Sequence, residues 1–277
     1  MEIDIAHLRG WIGRTQTDSQ SLDARLVQQF NATLERPGDA DSAEAPLLIH
    51  LCLTQPVAPM SALGRDGHPA LGGFLPPVPL PRRMWAGGEF VFHAPLRVGD
   101  TVTRHSTILE VTHKHGRTGN LCFVTLEHRI SRQGDPVLTE RQDIVYRDMS
   151  PPRADAPTPP PAPEGSFIRH MTPSAVLLFR YSALTFNGHR IHYDRAFCTG
   201  SEGYSGLVVH GPLQATWLCH FAADIGGQAP TAFRFRSLSP VFDDADVTLH
   251  AAALDGGLRL WTARPGGPVA MEAFASW

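Results

Sequence analysis

The densest group of side chains able to do chemistry lies in residues 179–194, FRYSALTFNGHRIHYD, where Asn187, His189, His192 and Asp194 fall within eight positions. An imidazole takes or gives a proton near neutral pH, and an amide holds a water or a carbonyl without changing charge. His192 is therefore the candidate general base and Asn187 the candidate for orienting the water it activates. On residue types alone, a hydrogen-bonded structural cluster is an equal reading. Tyr181, His189 and Arg190 of the same segment are candidate substrate contacts.

A second element follows at residues 203–213, GYSGLVVHGPL. A helix starting at Gly211 presents free backbone N–H groups and the positive end of its dipole, a place for a carbonyl that gains negative charge during reaction. His210 is read as structural. Arg82 and Arg83 are adjacent in a loop with few other charges. Guanidinium groups bind carboxylate or phosphate bidentately, and a solvated pair beside Trp85 is the plain alternative.

Several chemistries are excluded. The segment Gly203-Tyr204-Ser205-Gly206-Leu207 misses the nucleophile-elbow spacing by one position, and the chain has no G-x-G-x-x-G fingerprint. Lys114 is the only lysine, which removes a G-x-x-x-x-G-K phosphate loop. His189-x-x-His192 with Asp194 offers ligand types for zinc but lacks H-E-x-x-H, so no metal site is expected.

The elements that must position these residues form two copies of one pattern. Residues 151–164, PPRADAPTPPPAPE, contain seven prolines in fourteen positions, a composition that favours an extended, semi-rigid connector. Residues 1–150 and 165–277 flank it. Before it, FVFHAPLRVGDTV leads into a long alternating run in which Gly116 and Gly119 mark a turn; after it, FRFRSLSPVFDDADV leads into two shorter hairpin-like runs. Each half also has an apolar helical segment. Gly211–Asp224 is the stronger, with Pro212 in the first turn, Leu213, Trp217 and Phe221 at four-residue spacing, and Gly226-Gly227 as a stop. Pro46–Leu53 is the weaker, interrupted by Pro56 and Pro59.

The 179–194 segment resembles the signature Y-x-x-L-[ST]-G-D-x-N-P-[IL]-H of the MaoC-like, type 2 enoyl-CoA hydratases, matched at Tyr181, Leu184, Thr185, Ile191 and His192. The resemblance puts the family's catalytic histidine at His192, its aspartate at Asn187, its asparagine at His189 and its proline at Arg190. With N-G-H-R-I-H-Y-D intact, the string is more similar to the FAS1-like dehydratase-domain proteins, in which asparagine is the usual residue. H-G-P-L at 210–213, D-G-H-P at 66–69 and FLPPVPLPRRMWAGG at 74–88 extend the likeness over nearly the whole chain.

The resemblance implies an α+β double hotdog, two antiparallel sheets each wrapped around a central helix. The N-terminal hotdog would be degenerate and shape the acyl tunnel, and the C-terminal one would be catalytic. It also implies hydration or dehydration of an α,β-unsaturated acyl-CoA thioester, with His192, Asn187 and the Gly211 N–H as the catalytic set. Coenzyme A enters only as part of the substrate, and no other cofactor is expected. The compact bacterial members resemble itaconyl-CoA and mesaconyl-C(4)-CoA hydratases, whose extra carboxylate would give Arg82 or Arg83 a purpose. The rivals are a 3-hydroxyacyl-thioester dehydratase of fatty-acid metabolism, a hotdog thioesterase and a non-catalytic acyl-thioester binder. A thioesterase needs a carboxylate on the central helix, where the nearest choice, Asp224, is at the far end.

The bulk properties agree. The chain has 277 residues, 42% hydrophobic and 18% charged, with a formal charge of -3, too balanced for a protein that works on nucleic acid or an anionic membrane. Four scattered cysteines and an acidic N-terminus without a long apolar run lead us to expect a reduced, cytoplasmic protein, and hotdog units that pair lead us to expect a homodimer.

Overall fold

A computed structural model describes residues 3–37, 44–116, 119–149 and 159–277. Ten strands form one sheet. Five come from the first half: β1 (Thr15–Ser21), β2 (Arg82–Phe92), β3 (Thr101–Gly116), β4 (Gly119–Arg132) and β5 (Asp135–Arg147). Five come from the second: β6 (Phe167–Met171), β7 (Ala232–Ser237), β8 (Val247–Leu254), β9 (Gly257–Ala263) and β10 (Val269–Ser276).

Their order is β1-β3-β4-β5-β2-β7-β10-β9-β8-β6, and every pairing is antiparallel. Read outward from the centre, the two halves have the same sequence of connections, so the repeat seen in the chain is a repeat in topology. The proline-containing bends, Pro95–Asp100 and Pro240–Asp246, join β2 to β3 and β7 to β8 respectively. Residues 151–158 of the proline-rich stretch lie outside the described residues.

The expected pair of sheets is joined edge to edge. At the join, Phe90 faces Phe233 and Gly88 faces Phe235 in register. A Cβ on Gly87 would lie 2.6 Å from the Phe235 carbonyl oxygen, and one on Gly88 2.4 Å from that of Arg141. The two glycines therefore let three strands approach where a side chain would hold them apart. Phe90, Phe233 and Phe235 stack across the seam with ring centroids 5.7 to 6.4 Å apart.

Of the four α-helices, Ile5–Arg9 (α1), Ala24–Thr33 (α2), Ala175–Leu184 (α3) and Gly211–Gly226 (α4), only α4 is a central helix. It is buried without a break from Leu213 to Ala222 and packs on β7, β8, β9 and β10. A helix apolar all round belongs in a core, and its buried Gln214 is matched there: Thr262 Oγ1 donates to Gln214 Oε1 at 2.8 Å. Gly227, at φ 69°, ends it in a left-handed cap.

The counterpart expected at Pro46–Leu53 is a single 3₁₀ turn, Ile49–Cys52, entered through Leu48 at φ 63°. Leu48 in the left-handed region and Leu53 in extended backbone interrupt the right-handed helical path on either side of the turn, and Pro56 and Pro59 prevent its continuation. The turn is nonetheless buried and belongs, with Phe30 and Phe90, to one hydrophobic core that includes α4 and its strands. The two halves thus share their main core. A smaller cluster, including Trp11, Leu80, Val111 and Tyr146, lies under the far ends of β3, β4 and β5.

Candidate active site

The segment that leaves α3 is bent by Phe186, whose φ is 47°. Asn187 Oδ1 then accepts the His189 backbone N–H at 3.0 Å, an Asx-type turn that leads into the 3₁₀ turn Arg190–His192. The segment is tied to the approach to α4: the Val208 N–H donates to the Ile191 carbonyl at 3.0 Å, and His192 Nδ1 donates to the Val208 carbonyl at 2.7 Å. A ring nitrogen facing a carbonyl must carry the proton, so Nε2 of neutral His192 is the acceptor.

His192 stacks on His210 with centroids 3.6 Å apart and meets the His189 ring edge-on at 5.4 Å. His210 is the residue immediately before Gly211, so this stack holds His192 against the first turn of α4, whose N–H groups have no intrahelical partner. His210 is wholly buried. Its Nε2 meets Ser182 Oγ at 2.8 Å and its Nδ1 has no partner. Burial pushes His192 down to about 3 and His210 well below the usual histidine range, so both rings are neutral at pH 7.

The first half enters here. The loop 64–68 lies on the 187–192 segment: the Arg190 N–H donates to the Asp66 carbonyl at 2.9 Å, and Arg190 Nη1 to the Arg65 carbonyl at 3.1 Å. Gly67, at φ 88°, is so close to Gly188 that a Cβ would lie 2.0 Å from the Gly188 carbonyl oxygen. This contact brings the His68 ring to 4.1 Å from that of His189. His68 Nδ1 donates to Asp66 Oδ2 at 2.8 Å. Four imidazoles, His68, His189, His192 and His210, therefore form a continuous row from the first half to the start of α4.

A cavity of about 390 Å³ opens beside this row and is lined by Asp66, His68, Arg83, Tyr146, Phe197 and Glu202 among others. His68 is the one imidazole on its wall among the described residues; Asn187, His189, His192 and Gly211 do not line it. Arg82 and Arg83 sit at the start of β2 rather than in a loop, and the alternation of a strand sends them to different surroundings. Arg82 is bound to the Glu202 carboxylate at 3.2 Å, donates to the Glu202 carbonyl and lies over the Tyr204 ring. Arg83 faces the cavity and lies against the buried Tyr146 hydroxyl, close enough to interact with it.

Other expected contacts turn out to be braces. Arg190 grips Asp194 at 2.7 Å and covers the Phe197 ring at 4.1 Å, so it clamps the segment instead of facing the cavity. Asp194 also caps the Phe197 N–H and does not face His192. Tyr181 is buried between α3 and α4, its hydroxyl 3.3 Å from Thr216 Oγ1. Of the residue types that hold metals, Asp66, His68 and His189 have ligand atoms within 4.8 Å of one another. Asp66 is already engaged with His68, and the Arg83 guanidinium nearby opposes a second cation.

Asp66, His68, Tyr146 and His210 were not identified from residue types as site residues. The D-G-H-P string was the one available signal, since a glycine between an acid and a histidine permits a close backbone approach.

A family model described as hydroxyacyl-thioester dehydratase type 2 matches residues 48–243. The mesaconyl-C(4)-CoA hydratase of Chloroflexus aurantiacus is 43% identical over 267 residues, covering 95% of each chain. Among solved structures, a MaoC-like dehydratase from Phytophthora capsici aligns with a TM-score of 0.72 at 15% identity, covering 99% of this chain and 98% of that one. A Mycobacterium tuberculosis protein with a double hotdog fold aligns at 0.56 and 15% identity, covering 96% of each. The fold is thus the double hotdog, and the chain belongs to the type 2 hydroxyacyl-thioester dehydratase family.

Proposed function

We propose that the protein hydrates an α,β-unsaturated acyl-CoA thioester, with mesaconyl-C(4)-CoA, yielding citramalyl-CoA, as the substrate. Itaconyl-CoA, whose double bond is β,γ to the thioester, reaches the same product after a proton moves from its α- to its γ-carbon to give the mesaconyl isomer. The observation that carries this reading is His192 itself, held by Val208 and His210 in the tautomer whose free Nε2 faces its work beside the start of α4. In the reaction, water gives its oxygen to the β-carbon. The electron pair of the double bond moves into the thioester as an enolate, which the Gly211 N–H stabilises. His192 Nε2 takes the water's proton as the oxygen bonds to the β-carbon, and the imidazolium returns that proton to the α-carbon as the enolate collapses. Asn187, with one side of its amide used in the turn, has its NH₂ group left to orient that water.

The carboxylated C5 substrate is supported by Arg83. Arg82 is committed to Glu202, whereas Arg83 faces the cavity beside the Tyr146 hydroxyl and suits a carboxylate. No metal and no cofactor beyond the substrate's own coenzyme A is needed for these steps. No helix among the described residues is long and apolar enough to cross a membrane. Four buried, unpaired cysteines suit the reducing cytoplasm, and we keep a homodimer as the assembly.

The test is loss of enoyl-thioester absorbance with mesaconyl-C(4)-CoA, itaconyl-CoA and crotonyl-CoA. The carboxylated substrates should be preferred, His192→Ala should lower kcat by about 10²–10⁴-fold, and Arg83→Ala should abolish the preference. Preference for crotonyl-CoA, or full selectivity in Arg83→Ala, overturns the substrate assignment; unchanged hydration by His192→Ala overturns the site.

A further inference from the structure

The helix that leads into the segment carrying His192 is apolar on the side that meets water. α2 and α3 lie against each other, α2 burying Phe30 and α3 burying Leu178 and Tyr181. Their outer faces differ. α2 exposes Arg25, Gln28 and Gln29 with Ala24 and Ala32, the polar side expected of a surface helix. α3 exposes Val176, Phe179, Ala183 and, just past its end, Phe186, and Arg180 is its only charged residue. Steps of three, four and three positions put these four side chains on one face. Val176 is 65% exposed, and Phe179 and Phe186 62% each.

Phe186 sharpens the contrast. Its φ of 47° is left-handed, a conformation that strains a bulky residue and that glycine or asparagine adopts at lower cost. The bend itself is made by the backbone: the Phe186 N–H donates to the Ala183 carbonyl at 3.3 Å and the Asn187 N–H to the Ser182 carbonyl at 2.8 Å. Within one chain the strain is not offset by burial of the ring, which stands in water. An aromatic side chain at this place is accounted for by something that covers it.

The size and charge of the face indicate what that is. At about 150–250 Å² for a whole aromatic side chain, Val176, Phe179 and Phe186 together present roughly 350 Å² of apolar surface. A standard interface takes about 800 Å² from each partner, a little over half of it apolar, so these three side chains supply most of one partner's apolar share. With one arginine, the face has little to attract an anionic membrane or an acidic protein. An apolar, almost uncharged face complements itself, and two-fold pairing is the commonest way for identical chains to cover one.

We propose that two copies of the chain pair through α3, the face formed by Val176, Phe179, Ala183 and Phe186 packing on the same face of the partner about a two-fold axis. The inference rests on the homodimer kept above and gives it a surface. Since α3 runs directly into the 187–192 segment, pairing also covers the Phe186 ring and braces the bend that precedes Asn187.

The test is equilibrium sedimentation of wild type, Phe179→Glu and, as a control on the outer face of α2, Gln28→Glu, with circular dichroism to report folding. Wild type and Gln28→Glu should sediment with twice the mass of the chain. In a two-fold pair each substitution counts twice, so Phe179→Glu should weaken association by about 100-fold or more and sediment as one chain at the same micromolar concentrations. Hydrogen exchange of wild type at rising concentration should slow within residues 175–186, a readout that stands even if Phe179→Glu does not fold. Wild type that is monomeric throughout overturns the homodimer and the surface together. A dimer that Phe179→Glu leaves intact, one that Gln28→Glu disrupts equally, or slowed exchange confined to residues outside 175–186 overturns the surface and leaves the homodimer standing.

Discussion

The two halves of the sheet have the same connections but fill the space beneath them differently. In the second half, strands of eight, seven and eight residues, β8, β9 and β10, lie against the sixteen-residue helix α4. In the first, strands of sixteen, fourteen and thirteen residues, β3, β4 and β5, have only one 3₁₀ turn in the corresponding place. Charge takes over some of the helix's role there. Glu140, 3% exposed, lies 3.4 Å from His50, with His128 and Arg104 close enough to stabilise it electrostatically. The comparison teaches that a hotdog half can give up its helix if a buried ionic group and the neighbouring half's core replace it. Without a central helix of its own, the first half sends its long loop onto the 187–192 segment of the other half, where Asp66 and His68 meet it.

The largest expected effect that would test this contrast is acid sensitivity. The second half buries His189, His192, His210 and His220, all with pKa values pushed down by burial, to about 3 for His192 and about 4 for His220. A folded-state value below the unfolded 6.5 means that the unfolded chain binds the proton first as pH falls. Stability is therefore full above pH 6.5 and declines below it, by about 1.4 kcal/mol per pH unit for each such histidine until its folded value is reached.

Glu140 behaves differently. Burial alone would raise its pKa, but His128, His50 and Arg104 outweigh burial and hold it below 4.5. Its contribution thus persists until pH falls below about 4.5 and only then is lost. Urea unfolding at pH 7, 6 and 5 should show a steep decline, with hydrogen exchange rising first in α4 and the α3 segment. A flat stability over that range would mean that the row of imidazoles is not held neutral by the fold.

A smaller effect is expected at the contact between halves. Gly67→Ala places a side chain on a left-handed residue and against the Gly188 carbonyl, and should cost about 2–4 kcal/mol. It should also lower hydration, because His68 and His192 lose their common support. Gly256→Ala, at φ 78° with nothing within 4 Å, carries the strain without the clash and should cost only about 1 kcal/mol with activity intact. Equal unfolding midpoints for the two variants would break the argument that this close approach joins the halves.

The same contrast explains what could be read from the chain. Gly211–Asp224 was legible because its apolar spacing, Pro212 and the Gly226-Gly227 stop all point to one helix, and the structure extends it only to Gly226. The hairpin of β3 and β4 was legible from alternation. The absence of a first-half helix was foreshadowed by proline but not its replacement, since nothing local marks Glu140 as a buried charge. His192 was recognisable from its neighbours in sequence. His68 was not, because its partner in space is more than a hundred residues away and only folding shows which glycine lets the two loops meet. Arg82 and Arg83 could not be told apart until the strand turned them to different sides.

The smallest effect concerns the ion pairs that also bridge the halves. Asp224, at the far end of α4, is bound by Arg36 of the first half at 3.1 Å and by Arg169 of the second at 2.8 Å. Its side chain is about a third exposed, 34%, where water screens such pairs and each contributes well under 1 kcal/mol. Asp224 is also the carboxylate that a thioesterase would have to use from this helix, and the structure commits it to two arginines at the end away from Gly211. Asp224→Asn should therefore leave hydration unchanged and lower stability by less than about 1 kcal/mol. If this variant instead lost a thiol-releasing activity that the wild type possessed, the chemistry would lie at the other end of α4, away from Gly211 and His192.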